Sequence, residues 1–541
     1  MTTQIDTILF NARLRDATAP AGIRDGDAIA ISGGLIAAVG TGDDILKLRN
    51  SRTEVFDLGG AYLTPGLVDG HAHPVSGNDL QVGVDMTGAR TAEEMLARLR
   101  AEAQRTPLGQ WVMGYSLDPI AFAGLPHVAD AIEDAVGGRP TCVFIFDYHG
   151  VAVSRTALTM AGVTGPRSFV GASVIVCDAD GRPTGVLLEP EAIALVKGLI
   201  PVPTFADRVA SLRTTLNRMA ASGLTGIHVM DANTRSMELF AALEAEADLP
   251  LRLHVAPWVN PGASQSDIDE VLAQQSLHGK YWRVVAAKFF IDGTIDGGTG
   301  WLHEPDIHGE GLAALWPDHE AYQYALRFFA ERQVQTITHA IGDHAIRFVL
   351  DTLKDVPEAL RRAARHRIEH IETLPDEDIG RFAAEGIIPS MQPSHAVRYT
   401  RADHSDNWSS RLGKERADRA WRCRDIADAG APIVMGSDWP IAPFDPREIL
   451  VCARFRRLAE QSLAEAIQPS QALTGLEALA GLTSIAAYAV HEEAISGALT
   501  PGMRADLTAL SVDPINAPAD ALAAATVPLT MMDGRVTHNG L

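Results

Sequence analysis

Two histidines, His71 and His73, stand two residues apart in the run Val68-Asp69-Gly70-His71-Ala72-His73-Pro74. Side chains two apart on a strand point the same way, so both imidazoles converge on one point where the run ends. Converging imidazoles suit a metal ion, although a pair of surface histidines at a strand end has the same spacing. Residues further along the chain weigh against the second reading. Val284 to Ile291 is an apolar run that carries a single charge, Lys288. A lysine there is costly unless it is paired or chemically changed. The run Gln335 to His339 ends on a histidine, Arg367 to His370 ends on another, and Gly436-Ser437-Asp438-Trp439-Pro440 follows a third run. Ligand-type residues at the same end of several apolar runs are not explained by independent surface groups.

The elements that must position these residues alternate along the chain. Apolar β-like runs at Leu63 to Val68, Gly223 to Met230, Leu251 to Ala256, Val284 to Ile291, Gln335 to His339, Arg367 to His370, Gly386 to Met391 and Pro432 to Met435 are each followed by helical character. Continuous apolar strands alternating with helices indicate an α/β fold with a covered parallel sheet, and eight such units fit a (β/α)8 TIM barrel. In such a barrel the active site lies at the C-terminal ends of the strands, where the ligand-type residues fall. An open doubly wound sheet predicts a Gly-rich phosphate turn after the first strand, and none is there. A further run, Thr141 to Phe146, belongs to a large insertion after the first strand, spanning 75–220.

Both ends of the chain are β-rich. Ile8 to Asn11, Ala28 to Ser32 and Leu35 to Val39 read as strands, with a hairpin turn at Ser32-Gly33-Gly34. Asp506 to Leu510, Leu529 to Met532 and Arg535 to His538 read the same way, the last two joined at Asp533-Gly534. The expectation is a small composite β-sandwich domain from 1–60 plus 496–541, flanking a barrel over 61–495.

Composition bounds the rest. The chain has 541 residues, while a bare barrel needs about 250, so large additions are required. Its 46 Lys+Arg against 68 Asp+Glu leave a net charge of −22. That balance argues against a nucleic-acid surface and a polybasic membrane anchor. The cysteines Cys142, Cys177, Cys423 and Cys452 form no CxxC pair, so neither a disulfide framework nor a thiolate zinc site is suggested. The N-terminus lacks a basic region followed by an apolar stretch, and Leu476 to Val490 is too short to span a membrane. The expectation is a cytoplasmic protein. Neither a GxSxG elbow nor a P-loop is present.

Pro65-Gly66-Leu67-Val68-Asp69-Gly70-His71-Ala72-His73, followed in order by Lys288, His339, His370 and Asp438, resembles the metal-dependent amidohydrolase superfamily. More narrowly, the chain resembles the amidohydrolase 3 branch that includes N-substituted formamide deformylases. The branch-like motifs are Lys288-Phe289-Phe290-Ile291-Asp292-Gly293, His339-Ala340-Ile341-Gly342-Asp343, Met391-Gln392-Pro393-Ser394-His395 and Gly436-Ser437-Asp438. Gly497-Ala498-Leu499-Thr500-Pro501-Gly502-Met503-Arg504-Ala505-Asp506-Leu507 matches the superfamily's return to its β-rich domain.

The resemblance implies two divalent metal ions. Zn²⁺ suits the imidazole and carboxylate set, with Mn²⁺, Fe²⁺ or Co²⁺ as alternatives. One ion would take His71, His73 and Asp438, the other His339 and His370, with a carbamylated Lys288 bridging both. A bridging hydroxide would attack the substrate carbonyl, and Asp438 would act as general base and then acid. The competing roles are a purely ligating Asp438 and an unmodified Lys288 salt-bridged across the barrel, for instance to Asp292. Glu369 and Asp343 are candidates to orient ligand imidazoles. His149, His395, Trp301 and Trp439 are the candidates to touch substrate.

Two departures stand out. Asp147-Tyr148-His149 carries Tyr148 where the branch has glycine, and Gly298 stands where the branch has arginine. The expected activity is hydrolysis of a non-peptide C–N bond in a small amide-type substrate, with a homodimer implied by the resemblance alone. An esterase or lactonase on the same site is the alternative, and a non-catalytic barrel used for interaction is a third reading.

Overall fold

The computed structural model describes residues 4–169 and 173–541. Its central strands are parallel and fall into two sheets. One has the order Trp282–Val284, Arg252–Pro257, Leu224–Ala232, Leu67–Ala72. The other runs Ala286–Phe290, Gln335–Ala340, Arg367–His370, Ile388–Met391, Val434–Met435. Isolated parallel bridges pair Ala72 with Trp439 and Trp258 with Lys288, so the first sheet meets the second through Leu67–Ala72 on one side and through the continuation of Arg252–Pro257 on the other. This arrangement is consistent with the expected barrel.

These strands form where the sequence is apolar enough to be covered on both faces. Leu224–Ala232 and Gln335–Ala340 are buried at every position. The covering helices show the complementary spacing. Phe205–Ala221 starts from a capping box between Thr204 and Asp207 and buries Val209, Leu212, Leu216 and Met219 along one face.

The first expected strand is in fact two. Tyr62–Pro65 lies in a sheet of the chain ends, and Leu67–Ala72 begins the parallel core. Gly66 makes the crossing: a Cβ there would sit 2.1 Å from Thr225 Oγ1, so only glycine lets the chain pass this close. The fourth expected strand also divides, into Trp282–Val284 and Ala286–Phe290, at the margin between the two sheets.

The chain ends supply two further sheets. Thr7–Phe10, Ala28–Ser32, Leu35–Gly40 and Glu54–Asp57 make one. Arg13–Leu14, Tyr62–Pro65, Leu507–Leu510, Leu529–Met532 and Arg535–Asn539 make the other. Leu9, Ile29 and Ile31 of the first pack in one cluster with Leu63, Leu507 and Met531 of the second.

Between the first two parallel strands lies a six-stranded mixed sheet from Val84–Asp85, Val112–Leu117, Thr141–Ile145, Gly150–Val153, Val174–Cys177 and Pro183–Leu188. Only Thr141–Ile145 was legible beforehand. Pro183–Leu188 opens on proline and holds Gly185 at φ +105°, both of which weaken a strand signal. Among the described residues, no helix is long and apolar enough to cross a membrane.

Candidate metal centre

The first and last parallel strands are stitched together beneath the site. Asp69 Oδ1 accepts from the His71 and Ser437 amides at 3.1 and 2.9 Å, and its Oδ2 accepts from Ser437 Oγ. The Asp438 amide donates to His71 O at 2.7 Å, and the His73 amide to Trp439 O at 2.7 Å. These contacts bring His71, His73 and Asp438 together although the first and last are far apart in sequence. His71 Nε2 lies 3.2 Å from both His73 Nε2 and Asp438 Oδ1, and His73 Nε2 is 2.8 Å from the same oxygen.

The other carboxylate oxygen faces a second pair. His370 Nδ1 and His395 Nε2 each lie 3.8 Å from Asp438 Oδ2, and their rings are stacked at 6.1 Å. Asp438 is thus common to two groups with metal-ligand spacing: His71, His73 and Asp438, and His370, His395 and Asp438. His370 and Asp438 both have left-handed backbones, φ +73° and +58°. Such positions cost about 1–3 kcal/mol each for non-glycine residues and persist where surrounding structure enforces them. At His370 this breaks strand alternation and allows the imidazole to join Asp438 on the same side as Glu369.

His339 adjoins this group with its ring centroid 4.5 Å from that of His370. Its Nε2 lies 3.0 Å from Gly293 O and 3.7 Å from Asp292 Oδ1. Lys288 is completely buried, its Nζ over the Phe290 ring at 4.8 Å. Among the described residues, none hydrogen-bonds that Nζ. The alternative of a Lys288–Asp292 ion pair is not what the structure shows: Asp292 accepts instead from the amides of Trp301, Ile341 and Gly342.

The donor set fits divalent cations on this geometry. Lys288 Nζ, His370 Nδ1 and His395 Nε2 are all buried and have no hydrogen-bond partner among the described residues, and such atoms are expensive to leave unsatisfied. Burial would raise the Asp438 carboxyl, but His71 and His73 beside it hold it well below the ordinary range. Burial pushes His339 and His370 well below the ordinary imidazole range, which favours the neutral form that ligates. Burial likewise brings the Lys288 amine down to about 8, against the pull of Glu369 and Asp438.

The insertion contributes a second wall. His149 Nδ1 lies 3.0 Å from Glu189 Oε2, and its ring centroid is 5.8 Å from that of His339. Burial disfavours a charged His149, but Glu189 outweighs it and raises the imidazole to about 9. Beside His149 is a cavity of about 100 Å³, lined among others by Phe122, Ile145, Asp147, Asp296 and Arg411. The departure at Gly298 has a local counterpart. A Cβ there would lie 2.7 Å from Arg411 Nη1 and 2.3 Å from Glu310 Oε2, so a guanidinium from another segment occupies the neighbouring space.

Three further candidates have their contacts within the protein. Trp301 is taken up by packing: its ring stacks on His344 at 4.2 Å and contacts His319 and Phe348. Trp439 is also buried, against Phe444, and reaches the site through its backbone carbonyl to His73. Asp343 accepts from the amides of His303 and His344 at a helix start, and among the described residues no imidazole is hydrogen-bonded to it. The expectation for Glu369 has a direct counterpart, since its Oε2 lies 2.5 Å from His71 Nδ1. Sequence reasoning assigned no role to Asp69, Arg367 or Glu189. Asp69 sits two residues before His71 on the same face, a signal that the spacing alone carried.

The parallel α/β core is shared with solved structures. A structure described as an uncharacterised metal-dependent hydrolase from Pyrococcus horikoshii OT3 superposes with a TM-score of 0.72 at 21% identity, covering 94% of this chain and 98% of that one. The family model for the amidohydrolase family, of the amidohydrolase 3 type, matches residues 54–538, and the chain belongs to that family. It is 26% identical to the putative amidohydrolase YtcJ of Bacillus subtilis (strain 168) over 95% of this chain and 96% of that protein. It is 25% identical to the N-substituted formamide deformylase of Arthrobacter pascens, over 99% and 98% of the two chains.

Proposed function

We propose that this protein is a divalent-metal-dependent hydrolase that cleaves a non-peptide C–N bond in a small N-substituted amide or formamide. In this reading the two parallel sheets form one (β/α)8 barrel whose strand ends build the active site. The observation that carries it is the convergence of His71, His73, His370 and His395 on the single carboxylate of Asp438. The likeness to an N-substituted formamide deformylase supports the substrate class.

His71, His73 and Asp438 would hold one ion, and Lys288, His339 and His370 a second. An ammonium cannot ligate a cation, but the buried Lys288 amine can attack carbon dioxide. The N–C bond forms, a proton leaves, and the product is an anionic carbamate with two ligand oxygens. Bound divalent ions supply Lewis acidity and lower the pKa of a bound water. Asp438 takes a proton from the attacking water and returns it to the leaving nitrogen. His149, held by Glu189, faces the substrate from the insertion, and the adjoining cavity receives the nitrogen substituent.

The test uses protein loaded with zinc and bicarbonate, assayed on formamides, longer amides and esters with matched leaving groups. Amide or formamide turnover that depends on zinc is the expected result. Turnover of esters alone removes the C–N assignment, and loss of both zinc binding and turnover favours a non-catalytic barrel.

A further inference from the structure

Beneath the candidate centre, the interior of the parallel strands holds a fully buried ion pair. Arg367 and Glu369 are two apart on one strand and share a face. Both are completely inaccessible. Arg367 Nε donates to Glu369 Oε1 at 3.0 Å, and Nη2 to Oε2 at 3.3 Å. The same Nη2 also donates to Gly70 O at 2.8 Å and Ser390 Oγ at 2.9 Å. Nη1 lies 2.8 Å from His228 Nδ1. A guanidinium only donates, so His228 accepts on Nδ1.

A buried ion pair is a poor source of stability, because the desolvation of both charges offsets their attraction. An apolar pair would fill the space at least as well. What an apolar pair could not do is accept from His71. Glu369 Oε2 lies 2.5 Å from His71 Nδ1. An ionised carboxylate only accepts, so the neutral His71 ring carries its proton on Nδ1. Its Nε2 lone pair then faces His73 and Asp438. The opposite tautomer would point an N–H at Asp438 and close the group against a cation.

We propose that Glu369 is a positioning residue that locks the His71 tautomer, and that Arg367 holds Glu369 in place by tying it to Gly70 and Ser390. Gly70 precedes His71, so Arg367 fixes the histidine's backbone and its ring partner together. The inference rests on the reading of His71, His73 and Asp438 as a cation site.

The test measures zinc affinity by competition with a chromophoric chelator in wild type, Glu369→Gln, Glu369→Asp, Arg367→Lys, His71→Ala and the His71→Ala/Glu369→Gln double variant. Loss of an outer partner of a metal-bound histidine typically weakens metal binding about 10–100-fold, and that loss is expected for Glu369→Gln, with partial recovery in Glu369→Asp. If Glu369 acts through His71, Glu369→Gln brings no further loss once His71 is alanine. A merely structural role gives additive losses, and additivity overturns the proposal. So does wild-type affinity in Glu369→Gln. Should Glu369→Gln fail to fold, Arg367→Lys is read in the same cycle with His71→Ala. A wild-type protein that binds no zinc at all defeats the cation-site reading before any variant is compared.

Discussion

The sheets of the chain ends and the parallel core treat buried charge in opposite ways. At the chain ends, the inaccessible Asp16 has every partner it needs. Its Oδ1 accepts from Thr18 N and Oγ1, and its Oδ2 from Arg24 and the Leu499 amide. In the same sheets, Leu9, Ile29, Leu63, Leu507 and Met531 make an apolar core. In the parallel core, Lys288, His370 and His395 are also buried, yet each presents a polar atom with no hydrogen-bond partner among the described residues. The first arrangement is what stability selects, because unpaired buried groups cost about 1–3 kcal/mol each. The second costs stability, and the unpaired atoms gather around one carboxylate.

The comparison can be broken most severely at Asp438. Asp438→Asn preserves the side chain's size and removes its capacity to take a proton. Turnover is expected to fall by about 10²–10⁴-fold, the usual worth of a positioned acid or base. Zinc content by elemental analysis and kcat on the best amide substrate decide it. Near-normal kcat with zinc intact removes the proton role and leaves Asp438 as a ligand only.

The opposite substitution lies in the apolar core. Leu507→Ala is expected to destabilise the protein by about 2–5 kcal/mol, through lost transfer energy and the cavity left behind. Turnover per folded molecule stays at the wild-type level. Denaturant unfolding and an assay on the folded fraction separate the two effects. A large fall in kcat there would mean that the terminal sheets shape the site.

A smaller effect sharpens the cost of the polar interior. His366 is completely buried and accepts from the Thr336 amide on Nδ1 at 3.1 Å. Burial brings its imidazole down to about 3 from an ordinary 6.5. The unfolded chain therefore takes up a proton that the folded chain refuses. The stability from His366 is complete above pH 6.5 and drains away as pH falls toward 3, at up to about 1.4 kcal/mol per pH unit. His366→Gln flattens that slope in unfolding curves recorded between pH 7 and 4. An unchanged slope assigns the acid sensitivity to other groups.

Much of the site was legible because its signals are local. The two-residue spacing of His71 and His73 needs only strand alternation, and Lys288 stands out because its run is otherwise apolar. His339, His370 and Asp438 fall at the ends of their runs for the same reason. The six-stranded sheet of the insertion was mostly illegible: its strands are short, mixed in direction and interrupted by residues such as Pro183 and Gly185. The stacking of Trp301 on His344 was illegible because an aromatic residue in a loop has no local feature that separates pocket lining from helix packing.

The sequence by itself determined the alternation of apolar runs with helices, the ligand-type residues at the run ends and the family resemblance they carry. These follow from periodicity and residue type, which act over a few positions. Only the tertiary structure decided the partnerships: Glu369 on His71, Asp69 on Ser437, Arg367 on Gly70 and His228, Glu189 on His149. Most join positions more than a hundred residues apart. Sheet register and the crossings between strands bring them together, and neither is written in any short stretch of chain.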